Sequence, residues 1–358
     1  MNDDSILTPS VLRRVLLRNV PALAWLALVR TRALAANSPA VGADGLPYLA
    51  RGDVQEYLVE LVARHQFERN WLEAQFAQAR YSEKAEQLTT PSQAPPWSRN
   101  WVDYRSRYLD EQRVAEGVAF LRRERIALAR MSLRFGVPAE VAVAIIGVET
   151  RYGRQTGTFH TLDVLLTLVF DYPRRSELYR EELTQFLLLC REQRLDPVAQ
   201  RGSFAGALGL PQFMPGSIRR FAIDFDGDGR VDLMRSAVDA IGSVGNFLYA
   251  HGWERGDPIL FRAHADRDLV ASVGRGIDAT LRWRQLAELG VQIEGQLPDD
   301  ALCLLIDLAY VGAGGEDAVE FRVGTVNLGA LLHYNRSYFY AAAVTELAGA
   351  IAARAAAP

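Results

Sequence analysis

The sequence predicts a mostly helical α+β protein. Along much of the chain, apolar residues recur three and four positions apart, the spacing of an amphipathic helix. One predicted helix, Ala139–Thr150 (AEVAVAIIGVET), is apolar almost all round, which indicates a central, buried position. Late in the chain, Asp257–Ala265 and Ala301–Val323 contain alternating or β-rich runs, which predict a small sheet region.

The other predicted elements follow in order. The stretch from Asp53 to about Tyr81 predicts two helices, and the proline-rich Thr89–Asn100 predicts an exposed connection. One long helix is predicted from Asp110 to Phe135, ended by Gly136. Further helices are predicted at Leu162–Asp171, Ser176–Gln193, Ala237–Tyr249 and Tyr338–Ala356.

Composition sets limits on the class of protein. The chain has 358 residues, 49% of them apolar, enough for one large domain or two to three small ones. A formal net charge of -3 gives no electrostatic case for binding nucleic acid. Cys190 and Cys303 lie in apolar segments and are expected to be separate buried thiols, with a disulfide as the alternative. No Cys/His spacing typical of a zinc site is present.

The N-terminus has the layout of a secretory signal peptide. Leu12–Asn19 is basic, Val20–Val29 is an apolar run of ten residues, and Ala33–Ala36 supplies small residues. A signal peptide is therefore predicted at residues 1–35, with cleavage near Ala35. The run is too short to span a bilayer comfortably, and an ordinary amphipathic helix is the alternative. No cysteine follows the run, so a lipid anchor is not predicted.

Glu149 is the strongest candidate for chemistry. Ile145 and Ile146 lie one turn before it on the same helix face, and Val148 adjoins it. A carboxyl among such neighbours loses hydration of its charged form, so its pKa should rise, as it does for the general acid of lysozyme. The alternative is a structural salt bridge of Glu149 with a nearby arginine, Arg151 or Arg154.

No second carboxylate near Glu149 suggests itself as a catalytic partner. Asp163 and Asp171 are close in sequence, but they fall in a predicted helix with other expected roles.

An aspartate-rich loop predicts a cation site. Asp224, Asp226 and Asp228 occupy positions 1, 3 and 5 of an EF-hand-like loop, with glycine at position 6. Arg230, at position 7, could contribute only its backbone carbonyl, and Arg235 stands where glutamate is usual. We expect a structural Ca²⁺ or Na⁺; a polar turn capped by aspartates is the alternative. A calcium-sensing module is not expected, because there is one such loop and only four methionines.

Several long motifs agree in order with one known family. The stretches IIGVETRYGR (Ile145–Arg154), GSFAGALGLPQFMP (Gly202–Pro215) and AIGSVGNFLYAHGW (Ala240–Trp253), together with the DFDGDG loop, resemble the lytic murein transglycosylase B family. The similarity runs from about Tyr48 to the last helix. It implies a catalytic region at 46–358, with a lysozyme-like core, a helical addition at about 160–200, the EF-hand-like loop at 224–239 and a small β region at about 255–325.

The resemblance also implies an activity. Members of the family cut the β-1,4 bond between N-acetylmuramic acid and N-acetylglucosamine without water, and the muramyl 6-hydroxyl closes a 1,6-anhydro ring. Glu149 would donate a proton to the leaving oxygen and then act as base. An internal nucleophile removes the need for the two carboxylates of ordinary glycosidases. No cofactor is then needed for the chemistry. The alternatives are a hydrolytic muramidase and a catalytically weak peptidoglycan-binding scaffold.

Substrate-binding residues are implied where motifs match the family. Ser203 and Gln212 would line the groove and donate hydrogen bonds to sugar N-acetyl groups; the alternative for their segment is a glycine-rich packing turn. Tyr104 corresponds to an aromatic residue of the groove. Tyr334 and Asn335 match a Tyr-Asn pair before the last helix, although Tyr334 alone would be interpreted as a core or surface aromatic.

The resemblance implies roles for three more residues, and it implies partners and a cellular location for the protein. Arg174 and Arg175 would bind lactyl or peptide-stem carboxylates, or form only a solvated helix start. Asp239, on the helix after the loop, would close the cation site. The expected partners are peptidoglycan glycan strands and other cell-wall enzymes, but not nucleic acid. We expect a soluble periplasmic monomer.

Overall fold

The computed structural model describes residues 41–90, 100–269, 273, 276–312 and 314–357. The predicted signal peptide at 1–35 lies outside the described residues, as does most of the proline-rich connection. The described chain is mainly helical with two small antiparallel sheets, so the predicted α+β class is confirmed.

The helices occur along the whole described chain, and a short 3₁₀ turn, Tyr48–Ala50, precedes them. Their bounds are α1 Gly52–His65, α2 Arg69–Phe76, α3 Glu83–Thr89, α4 Trp101–Ser106, α5 Glu111–Arg123, α6 Arg125–Phe135, α7 Ala139–Thr150, α8 Thr161–Phe170, α9 Ser176–Gln193, α10 Pro215–Phe221, α11 Ala237–Ala250, α12 Trp283–Glu288, α13 Val326–Tyr334 and α14 Tyr338–Ala356.

The strands form two sheets of different size. Their bounds are β1 Phe159–His160, β2 Arg201–Gly202, β3 Leu260–His264, β4 Leu281–Arg282, β5 Gln292–Ile293, β6 Leu302–Val311 and β7 Asp317–Thr325. Strands β1 and β2 pair with each other, and the other five form a sheet in the order β4-β6-β7-β3-β5. The pairing of β6 with β7 runs from Cys303 opposite Thr325 to Val311 opposite Asp317.

Helix α7 lies at the centre of the helical core. Its residues from Val141 to Gly147 are all buried, as its uniformly apolar sequence predicts. Helices α5, α6, α11 and α14 pack around it. The larger sheet has a small core of its own, which includes Leu305 and Val323. The nearly fully buried Arg322 on β7 pairs with Glu346 on α14 at 3.5 Å and so joins the sheet to the helical core.

The single long helix predicted at 110–135 is wrong, because the chain forms two helices that are separated at Glu124. The backbone of Glu124 leaves the helical region, with φ -98° and ψ 18°. The break lets α5 pack on α7 and α14 while α6 packs on α11. Periodicity cannot reveal this break, since the apolar spacing continues in phase from one helix to the next.

The cysteine prediction is confirmed, because Cys190 in α9 and Cys303 in β6 are both buried and free. Within the described ranges, no single helix is long and apolar enough to cross a bilayer; α6 and α7, which are bent by 114°, satisfy the length and composition only as a pair.

Candidate active site

Glu149 lies in the last turn of α7, where the buried central helix reaches the surface of the core. It is half-buried. Burial raises the pKa of three neighbouring tyrosines, Tyr104, Tyr334 and Tyr340, and the negative charge of Glu149 adds to this rise. Burial raises the pKa of Glu149 to about 7 from its ordinary value of 4.5. Near neutral pH this carboxyl is therefore present in both its protonated and its charged form.

Tyr340 is a further site residue that sequence reasoning missed. Its side chain is 2% exposed, and its hydroxyl interacts with the Glu149 carboxyl, which lowers the pKa of Glu149 and opposes the effect of burial. The geometry of this contact is not that of a full hydrogen bond, and no other described residue pairs with the hydroxyl. A sequence signal did exist, because a tyrosine in the first turn of an otherwise alanine-rich helix needs a polar partner when buried.

The alternative of a structural salt bridge for Glu149 is wrong. Arg151 and Arg154 both pair with Glu116 on α5 instead, at 2.9 Å and 2.5 Å. Arg151 turns away because it ends α7 in the left-handed region, at φ 49°. No described arginine therefore neutralises Glu149, and burial alone controls its proton affinity apart from Tyr340.

The other nearby carboxylates are held by other partners. Asp171 accepts hydrogen bonds from Arg51 and from the Tyr48 hydroxyl, each at 2.6 Å. Asp163 accepts from the backbone amide of Arg80 at 2.8 Å. Neither makes a described contact with Glu149, so neither is nominated as the second carboxylate of an ordinary glycosidase.

The turn from Gly202 to Pro215 is tied to the end of α7. The buried Thr150, which follows Glu149, donates its hydroxyl to the Leu210 carbonyl at 2.9 Å. Within the turn, the Ser203 Oγ accepts the amides of Ala205 and Ala207, at 3.2 Å and 3.0 Å. Since these contacts use only the oxygen, the Ser203 hydroxyl proton remains free to donate to a ligand.

Gln212 has a different role from the one predicted. Its side-chain amide donates to the Thr156 and Gly209 carbonyls, at 3.1 Å and 2.8 Å. Both amide protons are thereby used, so the prediction that Gln212 donates to a sugar is wrong. Its carbonyl oxygen is the group left to contact a ligand, and this oxygen can only accept.

Tyr334 and Asn335 lie between the turn and the last helix. The Tyr334 hydroxyl donates to the Pro211 carbonyl at 2.5 Å, and its ring packs on Phe247 with centroids 4.9 Å apart. Asn335 is exposed, and its side-chain oxygen accepts the amide of Ser337 at 3.2 Å. Among the described residues, no group accepts a hydrogen bond from the Asn335 side-chain amide, which can therefore face a ligand.

Tyr104 lies on α4 and is half-buried, and burial and, to a lesser extent, the charge of Glu149 raise the pKa of its hydroxyl. It is held by Trp101, Tyr108 and Phe339, whose ring centroids are 6.4, 5.1 and 5.5 Å from its own. Tyr104 and Tyr334 thus contribute aromatic surface near the carboxyl from two separate elements.

Arg174 and Arg175 lie at the surface, just before α9. Both are exposed, and Arg175 adopts the left-handed region at φ 62°. In the part of the chain that the structure describes, neither side chain forms an ion pair. Their guanidinium groups are thus accessible to an anionic ligand, but no contact joins them to Glu149.

The aspartate loop brings three carboxylates together. Single oxygens of Asp224, Asp226 and Asp239 lie within 4.8 Å of one another, whereas Asp228 is outside this cluster and accepts the amide of Arg230 at 2.8 Å. Backbone amides, chiefly that of Gly229, lower the pKa of Asp224. No described lysine or arginine pairs with the three carboxylates. Hard oxygen donors in this number fit Ca²⁺ or Na⁺.

A mainly helical core with one glutamate of raised pKa beside several tyrosines is an arrangement suited to a glycan-cleaving enzyme. Residues 50–349 match the Transglycosylase SLT domain family, and the chain belongs to this family. The resemblance to lytic murein transglycosylases is thereby confirmed, and the protein is a lytic murein transglycosylase that acts on peptidoglycan.

Similar proteins agree with this assignment. The chain is 38% identical to the membrane-bound lytic murein transglycosylase B of Escherichia coli K12 over 307 residues, 84% of this chain and 82% of that protein. The structure of SltB1 from Pseudomonas aeruginosa superimposes with a TM-score of 0.78, at 38% identity, covering 85% of this chain and 98% of that one.

Two further solved structures contain ligands. That of Escherichia coli Slt35 in complex with calcium has a TM-score of 0.76 and 34% identity, covering 89% of this chain and 97% of that one. Pseudomonas aeruginosa SltB3 in complex with NAG-anhNAM-pentapeptide has a TM-score of 0.69 and 27% identity, covering 83% of this chain and 78% of that one.

Proposed function

We propose that Glu149 serves first as acid and then as base in a cleavage that uses no water. The bond cut is the β-1,4 linkage from N-acetylmuramic acid to N-acetylglucosamine, and the product ends in a 1,6-anhydromuramyl residue. The observation that carries the proposal is the single carboxyl whose pKa is raised to about 7, with no described arginine or second free carboxylate beside it.

Both steps transfer a proton to or from the Glu149 carboxyl. In the first, the Glu149 carboxyl gives its proton to the leaving glycosidic oxygen as the bond to the muramyl C1 breaks. In the second, the muramyl 6-hydroxyl oxygen bonds to C1, and its proton passes to the Glu149 carboxylate, which restores the acid. A pKa near the working pH suits a group that must both donate and accept a proton.

Polar groups around the carboxyl support binding of a glycan strand. The Ser203 hydroxyl can donate to a sugar carbonyl, and the Gln212 oxygen can accept from a sugar hydroxyl or N–H. Tyr104 and Tyr334 offer ring faces for sugar rings, and Asn335 offers a free amide.

The peptide stem of the substrate adds carboxylates. Arg174 and Arg175, which are exposed and free of ion pairs among described groups, suit these carboxylates through bidentate hydrogen bonds. Binding of NAG-anhNAM-pentapeptide by the similar SltB3 supports a role for the stem. We place the enzyme in the periplasm, where its substrate lies, as a soluble protein released from the predicted signal peptide. Its similarity to a membrane-bound relative leaves attachment open to test.

The carboxylate cluster is proposed as a structural Ca²⁺ site made by Asp224, Asp226 and Asp239. Its role is to hold the loop against α11, because Asp239 accepts the amides of Phe225 and Asp232 at 2.8 Å each. The calcium complex of the similar Slt35 supports the choice of ion. The proposed chemistry needs no metal.

The test is digestion of purified murein sacculi by wild type, Glu149→Gln and a matched control, Glu140→Gln, at the other end of the same helix. Wild type and the control should release muropeptides with anhydro ends, and Glu149→Gln should release at least about 100-fold less while remaining folded. Substantial release by Glu149→Gln would refute the proposal. Sedimentation of wild type with sacculi without release would instead favour a binding scaffold.

A further inference from the structure

Helix α6 exposes an aliphatic stripe where a surface helix normally carries polar groups. Ile126 is 75% exposed and Leu133 is 79% exposed, more than any other large apolar side chain in the described ranges. A helix advances by about 100° per residue, so residues seven apart lie about 20° from each other around the axis. Both side chains therefore project along one line, opposite the buried Leu128 and Met131.

Arginines flank this stripe on both sides. Arg125 lies on one side of it, and Arg130 and Arg134 lie on the other; all three are exposed. The helix contains no acidic residue, and none of these arginines pairs with a described carboxylate. The guanidinium of Arg130 stacks over the Phe225 ring at 4.0 Å and also donates to the Phe225 carbonyl, so it is held against the aspartate loop. The face is thus cationic with an apolar centre.

Exposed aliphatic residues elsewhere have a different setting. On α1, Val59 is 57% exposed and Val62 is 36% exposed, but Glu56 and Glu60 are their neighbours. Single apolar residues of that kind are normal on protein surfaces. Helix α6 differs because its two highly exposed aliphatic side chains are aligned and have arginines on both sides.

We propose that this face of α6 docks on an anionic phospholipid surface. The arginines would bind lipid phosphates, for which the guanidinium fork is suited, while Ile126 and Leu133 enter the boundary between headgroups and acyl chains. A soluble anion or a glycan would match the charges but would leave the aliphatic side chains in water. The surface lies on residues separate from the proposed site, and docking would hold the enzyme at a membrane without a spanning helix.

A position-specific probe tests the proposal in the full chain. An environment-sensitive fluorophore is attached by thiol chemistry to Ala129→Cys, between the two aliphatic residues, and to Ala63→Cys, an exposed alanine on α1. The native cysteines are both buried, so labelling is selective. Vesicles of phosphatidylcholine with phosphatidylglycerol are titrated against each labelled protein, and vesicles of phosphatidylcholine alone serve for comparison.

The label at position 129 should shift to shorter wavelength with the anionic vesicles, whereas the label at position 63 should not shift. Adding Arg125→Glu and Arg134→Glu should weaken the response at least tenfold, and so should high salt. No shift at position 129, or equal shifts at both positions, would overturn the proposal. A response that survives Ile126→Ser with Leu133→Ser would show a simple anion site and would also overturn it. Cleavage of soluble glycan fragments should be unchanged in all these variants, which separates this test from that of the active site.

Discussion

Among single residues, Glu149 is the one from which we expect the largest effect of pH on activity near neutrality. Its pKa of about 7 results from burial on a helix whose other neighbours are apolar, and the Tyr340 hydroxyl limits the rise. Helix α7 therefore ends in a polar group that is suited to proton transfer but unfavourable for folding in its charged form. Two predictions follow from this conflict, one on rate and one on stability.

The rate should depend on protonated Glu149. Cleavage by the free enzyme needs the acid form, so kcat/KM should fall as pH rises through about 7. Tyr340→Phe removes the hydroxyl that favours the charged form of Glu149, so the pH at which kcat/KM falls should be higher in this variant. The matched control is Tyr334→Phe. The Tyr334 hydroxyl donates to the Pro211 carbonyl instead, so its removal should leave the pH at which kcat/KM falls unchanged. The measurement is a pH profile of kcat/KM. If kcat/KM of Tyr340→Phe falls at the same pH as that of wild type, this assignment is contradicted.

The stability should respond to Glu149 in the opposite sense from a salt-bridged acid. Its folded pKa of about 7 exceeds its ordinary value of 4.5, so the folded state holds the proton more tightly. Stability is therefore lost as pH rises from about 4.5 to about 7 and stays lower above that range. Relative to wild type, Glu149→Gln should gain about 1–3 kcal/mol between pH 4 and pH 8. Urea unfolding at both pH values measures this gain, with Glu140→Gln as control. A difference that is the same at both values would count against a raised pKa.

Among the elements, the contact between α7 and the turn from Gly202 to Pro215 is the most consequential. Thr150 makes it by donating its hydroxyl to the Leu210 carbonyl. The same hydroxyl oxygen accepts the amide of Gly153, just after α7, at 3.1 Å. The turn carries Ser203 and Gln212, so this hydroxyl, together with the contact of Gln212 with Thr156, helps to hold the glutamate in position relative to the proposed ligand-binding groups.

Thr150→Val should loosen that contact. The variant keeps the side-chain shape but orphans the Leu210 carbonyl and the Gly153 amide, at a cost of about 1–3 kcal/mol. We expect Tm to fall by several degrees and kcat to fall with it, while Thr150→Ser stays near wild type in both. Calorimetry and turnover on sacculi measure the two effects. If Thr150→Val behaves like Thr150→Ser, the hydroxyl does not have this role.

Much of the fold could be predicted because periodicity is a local property. The observed α9 and α14 have the predicted bounds, Ser176–Gln193 and Tyr338–Ala356, and the β-rich runs became β3, β6 and β7. The break at Glu124 could not be predicted, since it serves packing against helices distant in sequence.

The site could be predicted only in part, for a related reason. The neighbours of Glu149 in sequence already indicate a raised pKa. The pairing of Arg151 with Glu116 and the contact of Gln212 with Thr156, however, join residues 35 and 56 positions apart in the chain. Those contacts decide that Glu149 is unpaired and that Gln212 accepts. No spacing rule contains that information.

For the whole molecule, the carboxylate cluster connects the loop to the core. Since a cation would bind the folded chain only, Ca²⁺ should raise Tm by a few degrees and a chelator should reverse the effect. Asp239→Asn should abolish the response, whereas Asp228→Asn, outside the cluster, should retain most of it. Thermal unfolding with and without Ca²⁺ measures this. An equal loss in both variants would argue against the three-carboxylate site.

The measurement that tests the central claim most directly is digestion of sacculi in H₂¹⁸O, followed by mass spectrometry of the released muropeptides. A cleavage in which the muramyl 6-hydroxyl is the nucleophile and Glu149 its base incorporates no ¹⁸O, and each product is lighter by one water than a reducing-end sugar. We predict that result for wild type. Muramyl products that carry ¹⁸O at C1 would show attack by water and would contradict the account.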